Sequence, residues 1–239
     1  MSDGKRIPRQ TVILAAGNGT RLATLGHELP KPFLLVGGRT LIERALEQAQ
    51  LAGCEEAVIV LGHEAEQFQR ELARVPSGLR IQLVRNPQYN LPNGVSLLAA
   101  EPYVAERFFL QMADHVFSEP VLERLADPSL DGAARLLVDP APVDQDELDA
   151  TKVRIRDGFI TAIGKEVRPY DAVDAGCFLL DRRVFAALRA VPGGAPSVSA
   201  GMEQLAAQRA LAPLPLRGVA WVDVDTPADW KRAEAVLPR

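Results

Sequence analysis

A glycine-rich stretch follows the first apolar run of the sequence. LAAGNGTRL spans residues 14–22, where Gly17 and Gly19 would let backbone N–H groups approach phosphate oxygens, while Arg21 and Lys31 supply positive charge. The stretch does not match the dinucleotide-binding pattern G-x-G-x-x-G, because Leu22 stands where the third glycine is required, and no Lys-Ser or Lys-Thr pair follows as in a P-loop. From these residues alone it is either a different phosphate-binding loop or an ordinary turn with surface cations.

Acidic residues stand where two predicted strands end. Asp114 follows the apolar run RFFLQMA, and Asp225 ends VDVD directly before a predicted helix. In open α/β sheets, ligands bind beyond the carboxyl ends of the strands, and one carboxylate from each of two strands can hold Mg²⁺ when substrate phosphates complete its coordination. Asp223 shares a face with Asp225 by strand spacing. We interpret His115 as a hydrogen-bond partner rather than a metal ligand, since magnesium prefers oxygen.

The hydrophobic pattern predicts the elements that must position these residues. Short apolar runs alternate with helical patterns, which is typical of a single α/β domain whose mixed, mostly parallel sheet is flanked by helices. A small hairpin insertion at about 150–170 interrupts the alternation. The predicted strands are TVILA from residue 11, EAVIVLG from 56, LRIQLVR from 79, RFFLQMA from 107, ARLLV from 134, KVRIRDG from 152, FITAIG from 159, AGCFLLD from 175 and VAWVDV from 219.

Two predicted helices carry clear start signals. Thr40 and Glu43 have the spacing of a capping box at the start of TLIERALEQAQLAG, and Gly53 ends that helix. The last helix begins after a cap that either Asp225 or the next residue can provide. In the second case Thr226 is the cap, Pro227 occupies the first helical position, and Asp229 can complete the cap.

Composition and charge exclude several classes of protein. The net charge of -4 argues against general binding to nucleic-acid backbones, which requires clustered Lys and Arg. Cys54 and Cys177 are too few and too far apart for a disulfide scaffold or a cysteine zinc site. The first ten residues are polar, and no apolar run reaches the ~20 residues that span a bilayer. We therefore expect a cytoplasmic protein without a membrane segment.

Several motifs occur in a fixed order along nearly the whole chain: LAAGNGTRL, KPFLLVGGRTLIERAL, MADH, DATKVRI and VDVDTPADW. In this order they resemble the nucleotidyltransferases that join a nucleoside triphosphate to a phosphorylated small molecule. Residues 1–239 are thus expected to form one Rossmann-like nucleotidyltransferase domain. NGVSLLAA after NPQYN, MADHVF and DELDATKV are most similar to the CTP:inositol-1-phosphate cytidylyltransferases. The resemblance implies Mg²⁺-assisted transfer of a cytidylyl group from CTP to inositol 1-phosphate, giving CDP-inositol and pyrophosphate.

The resemblance also implies roles for individual residues. Arg21, Lys31 and Lys152 would be catalytic, with Lys152 on the acceptor phosphate, and Asp114 and Asp225 would hold the metal. Asn93 and Gly94 match the NG of the base-binding segment, although composition alone would make Asn93 the cap of the helix VSLLAA. The implied nucleotide-binding residues are Leu14, Ala15, Ala16, Gly17, Asn18, Gly19, Thr20, Arg21, Lys31, Asn93, Gly94, Ser96 and Asp114.

An acidic segment lies just before Lys152. A polyol needs carboxylates that accept hydrogen bonds from neighbouring hydroxyls, so the acceptor would contact this segment and His115 as well as Lys152. From the residues alone, the segment could equally be a solvated acidic loop, and a lysine in TKVRIR could be a solvated edge residue. The acidic candidates are Asp146, Glu147 and Asp149.

The reaction implied by the resemblance is an in-line attack of the acceptor phosphate on the α-phosphorus of CTP. A phosphomonoester has its second pKa at ~6, so it needs no general base. Three alternatives stay open. The first is a phosphocholine or phosphonate cytidylyltransferase; recognition of choline would require an aromatic cage around its quaternary ammonium, and aromatics are only 5% here. A sugar-1-phosphate enzyme using UTP or dTTP shares the loop and the aspartates, and a catalytically inactive nucleotide-binding regulatory domain is the third.

Many members of the resembled family are fused to a membrane-embedded synthase that uses CDP-inositol. No such segment is seen in this sequence, so the product is expected to pass to a separate membrane synthase and to serve a lipid or a compatible solute. The partners expected are small-molecule substrates, not nucleic acid. A homodimer is left open.

Overall fold

A computed structural model describes residues 8–17, 29–126, 133–142 and 150–237. In chain order, the strands are β1 (Gln10–Ala15), β2 (Leu35–Val36), β3 (Arg39–Thr40), β4 (Glu56–Leu61), β5 (Arg80–Arg85), β6 (Arg107–Met112), β7 (His115–Phe117), β8 (Ala134–Asp139), β9 (Lys152–Arg156), β10 (Phe159–Gly164), β11 (Ala172–Asp181), β12 (Leu211–Pro215) and β13 (Trp221–Asp223). The helices are α1 (Leu41–Leu51), α2 (Ala65–Leu72), α3 (Gly94–Ala100), α4 (Arg183–Arg189), α5 (Val198–Ala207) and α6 (Pro227–Val236). Short 3-10 turns cover Lys31–Phe33, Glu101–Tyr103 and Leu122–Ala126.

A mixed sheet forms the centre of the fold, in the order β10-β9-β11-β6-β1-β4-β5, with β8 against β11 and β12 against β8. Strands β1, β4, β5 and β6 are parallel, and β11 runs antiparallel to β6, β8 and β9. Alternate residues of β1 face two different cores: Val12 and Leu14 face one, and Ile13 and Ala15 face the other. Helices cover both faces, which confirms the predicted α/β class.

Helix α1 shows how local signals set an element that the sequence predicted. The Thr40 hydroxyl accepts a hydrogen bond from the Glu43 amide at 3.3 Å, and the Glu43 carboxylate accepts one from the Thr40 amide at 2.6 Å. Gly53 follows the helix with φ of +81°, a conformation that glycine adopts without a steric penalty. The side chains that anchor the helix on the core are Leu41, Ile42, Ala45, Leu46 and Ala49.

The predicted hairpin is present as β9 and β10. Asp157 and Gly158 connect the strands with φ of +50° and +79°, and two such residues give a turn whose twist matches the strands. The sequence did not predict β2, β3, β7 or β12. Strand β12 is LAPLP, and its two prolines are tolerated because it lies at the edge of the sheet and pairs only with β8 in the described part of the chain.

A small second sheet joins the middle of the chain to its last part. Strand β7 pairs antiparallel with β13, so that Asp223 lies opposite His115. The Val224 amide donates to the carbonyl oxygen of Asp114 at 3.0 Å. Helix α6 then begins with the predicted capping box, and it packs over a third apolar cluster that contains residues of β7 and β13. These contacts bring the ends of β6 and β13 together.

Within the described residues, no helix has the length and apolar character needed to cross a bilayer. Both Cys54 and Cys177 are buried free thiols, as expected for a chain without a disulfide scaffold.

Candidate active site

The ammonium group of Lys31 lies between two carboxylates at the carboxyl ends of strands. Its Nζ donates to Oδ2 of Asp114 at 2.7 Å and to Oδ1 of Asp225 at 2.6 Å. Lys31 begins a 3-10 turn whose Phe33 is buried in the core, so the position of the lysine backbone is fixed by packing. Asp114 follows β6, and Asp225 follows β13 and precedes α6. The chain therefore collects three of the predicted residues into one ionic cluster.

Burial and charge act against each other in this cluster. Burial alone would raise the pKa of Asp114, but the charges of Lys31 and His115 hold it well below its usual range. Burial alone would likewise lower the pKa of Lys31, yet Asp114, Asp223 and Asp225 raise it above its ordinary value. The Lys31 side chain is only 10% exposed, so this ion pair is largely shielded from water. At neutral pH the ammonium and the Asp114 carboxylate are both charged.

His115 fills the space between the acidic residues and the central sheet. Its Nδ1 lies 3.0 Å from Oδ1 of Asp114 and 3.9 Å from Oδ1 of Asp223. The ring stacks on Trp221 with 5.6 Å between centroids, and its other edge faces Gly176 so closely that a Cβ there would collide with it. Burial alone would lower the pKa of His115, but the neighbouring carboxylates, Asp223 first, raise it to about 9. His115 is thus a charged donor that orients Asp114.

The residues present fit a divalent cation. Side-chain atoms of Asp114, His115 and Asp223 lie within 4.8 Å of one another, with the His115 imidazole as hydrogen-bond partner of the carboxylates, and the Asp225 carboxylate reaches the same lysine as Asp114. Oδ1 of Asp223 is buried without a hydrogen-bond partner, so it has acceptor capacity to spare. Burial, followed by the charge of Asp114, raises the pKa of Asp223 to about 7, as expected for closely spaced carboxylates. A bound cation would relieve that repulsion.

A cavity of about 440 Å³ opens beside this cluster. Asp223 and Asp225 form part of its wall, and the cations Lys165 and Arg232 also line it. This size falls within the range of roughly 300–1,000 Å³ that small-molecule sites occupy. Side chains that can hydrogen-bond to a polar ligand also line it, and they include Asn93, Thr151 and Ser199.

The first residues of the predicted phosphate-binding loop end strand β1 next to this site. Leu14 accepts a hydrogen bond from the Ala113 amide at 3.2 Å, which places the end of β1 beside Asp114. Leu14, Ala15 and Ala16 are buried, whereas Gly17 is exposed. The remaining predicted loop and acceptor residues lie outside the described residues: Asn18, Gly19, Thr20, Arg21, Asp146, Glu147 and Asp149.

Lys152 and Lys165 occupy different positions relative to the cavity. Lys152 is 1% exposed, and its Nζ donates to the carbonyl oxygen of Ala150 at 3.2 Å, so it is not a solvated edge residue. Ala150 and Thr151 line the cavity, while Lys152 is not among the lining residues. Lys165 follows β10, whose last residue Gly164 pairs with Lys152, and it does line the cavity. Lys165 was not among the residues predicted from the sequence, and its signal was a lysine directly after the predicted hairpin.

The predicted base-binding segment contributes one residue to the lining of the cavity. Asn93 lines the cavity and occupies the predicted N-cap position of α3, but its side chain makes no cap hydrogen bond there, and Oδ1 accepts instead from the Val198 amide at 2.9 Å. Position 94 requires glycine, because a Cβ there would lie 2.5 Å from the Pro196 carbonyl oxygen. Ser96 is buried and accepts from Asn86 at 2.9 Å. These contacts fix the start of α3 against the start of α5.

The chain is similar to known nucleotide transferases. A family model described as "MobA-like NTP transferase domain" matches residues 11–210. A "Bifunctional IPC transferase and DIPP synthase" of Rubrobacter xylanophilus is 36% identical over 243 residues, which cover 99% of this chain and 54% of the relative. The protein of the same name from Thermococcus kodakarensis is 33% identical over 237 residues, which cover 98% of this chain and 51% of the relative. The chain thus spans about half the length of these curated relatives.

A further relative and a solved structure are also similar to this chain. A UTP–glucose-1-phosphate uridylyltransferase of Haloferax volcanii is 30% identical over 193 residues, which cover 76% of each chain. The solved inositol-1-phosphate CTP transferase from T. maritima superposes with a TM-score of 0.83 at 23% identity, covering 98% of this chain and 100% of that one. This superposition confirms the predicted Rossmann-like nucleotidyltransferase fold.

Proposed function

Because the chain belongs to the MobA-like NTP transferase domain family, we propose that it transfers a cytidylyl group from CTP to inositol 1-phosphate. The relatives named as IPC transferases that match 95–99% of this chain support this choice of substrates. The observation that carries the proposal is the cluster of Lys31, Asp114 and Asp225 beside a cavity lined by two further cations. Such a site is suited to bind two phosphorylated substrates next to each other.

The reaction requires the protein to position the substrates and to supply positive charge, but it requires no general base. An oxygen of the acceptor phosphate forms a bond to the α-phosphorus of CTP. The bond from that phosphorus to the oxygen bridging to the β-phosphorus breaks, and pyrophosphate leaves with the electron pair. Since a phosphomonoester is largely a dianion above its second pKa of ~6, the attacking oxygen needs no deprotonation. Two anions must nevertheless be brought together, which requires positive charge from the site.

Asp114 and Asp225 are the residues that we propose to hold Mg²⁺. When bound, the ion would neutralise charge on the triphosphate and orient its α-phosphate. His115 orients Asp114 through their 3.0 Å contact. Lys31 bridges both carboxylates in this structure, and with the ion bound its ammonium would instead contribute positive charge for the triphosphate, together with the proposed loop that runs from Leu14 through Arg21.

Lys165 is the cation that the geometry favours for the acceptor phosphate. It lines the cavity, whereas Lys152 is buried, does not line the cavity and donates to a backbone carbonyl. Arg232 lines the cavity too, and its guanidinium donates to Asp229 at 3.0 Å at the start of α6. The predicted role of Lys152 on the acceptor phosphate stays a prediction to be tested against Lys165.

Asn93, Gly94 and Ser96 remain our proposal for the base-binding segment. Asn93 faces the cavity, and its amide nitrogen is the part of the side chain that the Val198 hydrogen bond leaves for a ligand. Close approach of a pyrimidine to the backbone is easiest at glycine. Discrimination between cytosine and uracil would depend on which edge the Asn93 amide meets.

A uridylyltransferase acting on a sugar 1-phosphate is the second candidate. The relative from Haloferax volcanii, which matches 76% of this chain, is named as a UTP–glucose-1-phosphate uridylyltransferase, and this match favours the second candidate. The metal carboxylates and Lys31 would serve either reaction equally, so only substrate preference separates the two.

The test is pyrophosphate release with Mg²⁺, comparing CTP with UTP and inositol 1-phosphate with glucose 1-phosphate, phosphocholine and 2-aminoethylphosphonate. We expect CTP with inositol 1-phosphate to give the highest kcat/KM. Preference for UTP and glucose 1-phosphate would establish the second candidate. No turnover with any pair would refute both enzymatic proposals.

The metal assignment is tested with Asp114→Asn and Asp225→Asn. Each removes a charge from the proposed metal site, so turnover should fall by roughly 10²-fold or more, and a thermal melt checks that each variant is folded at the assay temperature. Asp157→Asn is the matched control, because it removes an exposed carboxylate in the hairpin turn at a φ that asparagine also tolerates. Normal Mg²⁺-dependent rates in both site variants would exclude these ligands.

A further inference from the structure

A carboxylate that none of the proposed steps uses lies in the wall of the cavity. Asp174 belongs to β11, and its Oδ1 accepts a hydrogen bond from the Gly176 amide at 2.7 Å. That amide is the one hydrogen-bond donor to the Asp174 side chain among the described residues. An ionised carboxylate offers about four acceptor positions, so this hydrogen bond leaves acceptor capacity for a ligand in the cavity that Asp174 lines.

The position of Asp174 separates it from the phosphate chemistry. His115 turns Nδ1 toward Asp114 and Asp223, and its opposite edge faces Gly176, the residue whose amide Asp174 binds. Asp174 therefore lies on the far side of His115 from the metal carboxylates. An acceptor whose phosphate reaches the metal site would extend the rest of its body along this wall. The charge of a carboxylate there is unsuited to phosphate and suited to hydrogen-bond donors.

We infer that Asp174 selects the acceptor by accepting hydrogen bonds from its ring hydroxyls. This inference rests on the proposed function, because it presumes that a phosphorylated polyol fills the cavity. Ser199 and Thr151 also line it and offer further partners for a polyol.

Removal of the charge at this position is the first arm of the test. Asp174→Asn keeps the size of the side chain but weakens acceptance from hydroxyls. Its KM for inositol 1-phosphate should rise by about tenfold or more, with the KM for CTP nearly unchanged, because hydrogen bonds to charged groups are the stronger ones. Asp181→Asn is the matched control, since it removes a carboxylate from the end of the same strand, where Asp181 pairs with Arg183.

A second arm identifies the hydroxyl itself. Wild-type and Asp174→Asn enzymes are compared with a series of monodeoxy inositol 1-phosphates. Removal of the hydroxyl that Asp174 binds should lower kcat/KM of the wild type about tenfold and leave kcat/KM of the variant almost unchanged. The reason is that each change removes one partner of the same hydrogen bond. A role in shape alone would leave the deoxy penalties equal in the two enzymes.

The outcomes separate the two levels of the proposal. Turnover of inositol 1-phosphate by the wild type, with equal deoxy penalties in the variant, would overturn the role of Asp174 and leave the proposed function standing. Failure of the wild type to use any inositol phosphate would remove both. If Asp174→Asn does not fold, Asp174→Ser retains an acceptor for the Gly176 amide, and a wild type that is indifferent to every deoxy position would by itself refute the inference.

Discussion

Gly176→Ala is the substitution whose effect can be worked out furthest from the structure. Gly176 has φ of +74°, a region that residues with a Cβ rarely adopt. A Cβ there would lie well inside 3.0 Å of Cδ2 and Nε2 of His115. The ring cannot retreat freely, because it stacks on Trp221 and its Nδ1 binds Asp114. The substitution therefore presses on the residue that orients a proposed metal ligand.

The expected magnitudes follow from two separate costs. The left-handed backbone costs a residue with a Cβ about 1–2 kcal/mol, and forcing an atom into a packed site costs about 1–3 kcal/mol more. The free energy of unfolding should thus fall by roughly 2–5 kcal/mol. Restoring an ordinary contact requires the His115 ring to move by about 1 Å, and a displacement of that size at a catalytic site can cost about 10²-fold in rate.

Urea unfolding and steady-state pyrophosphate release measure the two effects. Gly218→Ala is the matched control, because Gly218 has φ of +72° and a Cβ added there would have no neighbouring atom within 4 Å, so only the backbone cost applies. The difference between the two variants isolates the contact with His115. Adding His115→Ala to Gly176→Ala should recover part of the lost stability but not the lost rate. The reasoning is refuted if Gly176→Ala matches Gly218→Ala in both stability and activity.

Three further predictions concern other parts of the chain. Lys165→Met should raise the KM for the acceptor by about tenfold or more while Lys152→Met changes it little; the reverse result in acceptor kinetics would return the phosphate to Lys152. Burial raises the pKa of the Cys54 thiol to about 12 and that of Cys177 above its ordinary value, so both thiols stay protonated at pH 8. A chromogenic disulfide should label them only after unfolding, and rapid labelling of the native protein would contradict their burial. Thr40→Ala should lower the free energy of unfolding in urea by about 1 kcal/mol through loss of the cap of α1, with KM for both substrates unchanged; an altered KM would connect α1 to the site.

Local chemistry made much of the fold predictable. The capping box at Thr40 and the Asp157-Gly158 turn depend on residues a few positions apart, so the sequence itself contains both partners. Buried strands of the parallel sheet appear as apolar runs because both of their faces are covered. For the same reason Asp114 could be placed after a strand from the amino-acid pattern alone, whereas Asp225 was placed from the strand pattern VDVD before a capping motif and follows a strand of the small antiparallel sheet.

Other features depend on partners far away in the chain, which no local pattern specifies. Asn93 has the residue type of a helix cap, yet its side chain binds the amide of Val198, 105 residues later. Strand β12 contains two prolines and is recognisable only once β8 provides its partner. Lys165 gains significance because it lines the cavity just after β10, whereas Lys152, in a motif that matched the resembled family, is buried and does not line the cavity.

The sequence by itself determined the chemical types present: a glycine-rich turn, a lysine after it, and aspartates at the ends of two strands. Only the tertiary structure decided that these groups meet. Lys31 and Asp225 are 194 residues apart, and they are joined because β7 pairs with β13 and α6 packs over both strands. Side-chain types are fixed by covalent structure, but their distances are set by packing among segments remote in sequence, and the charge cluster exists only through those distances.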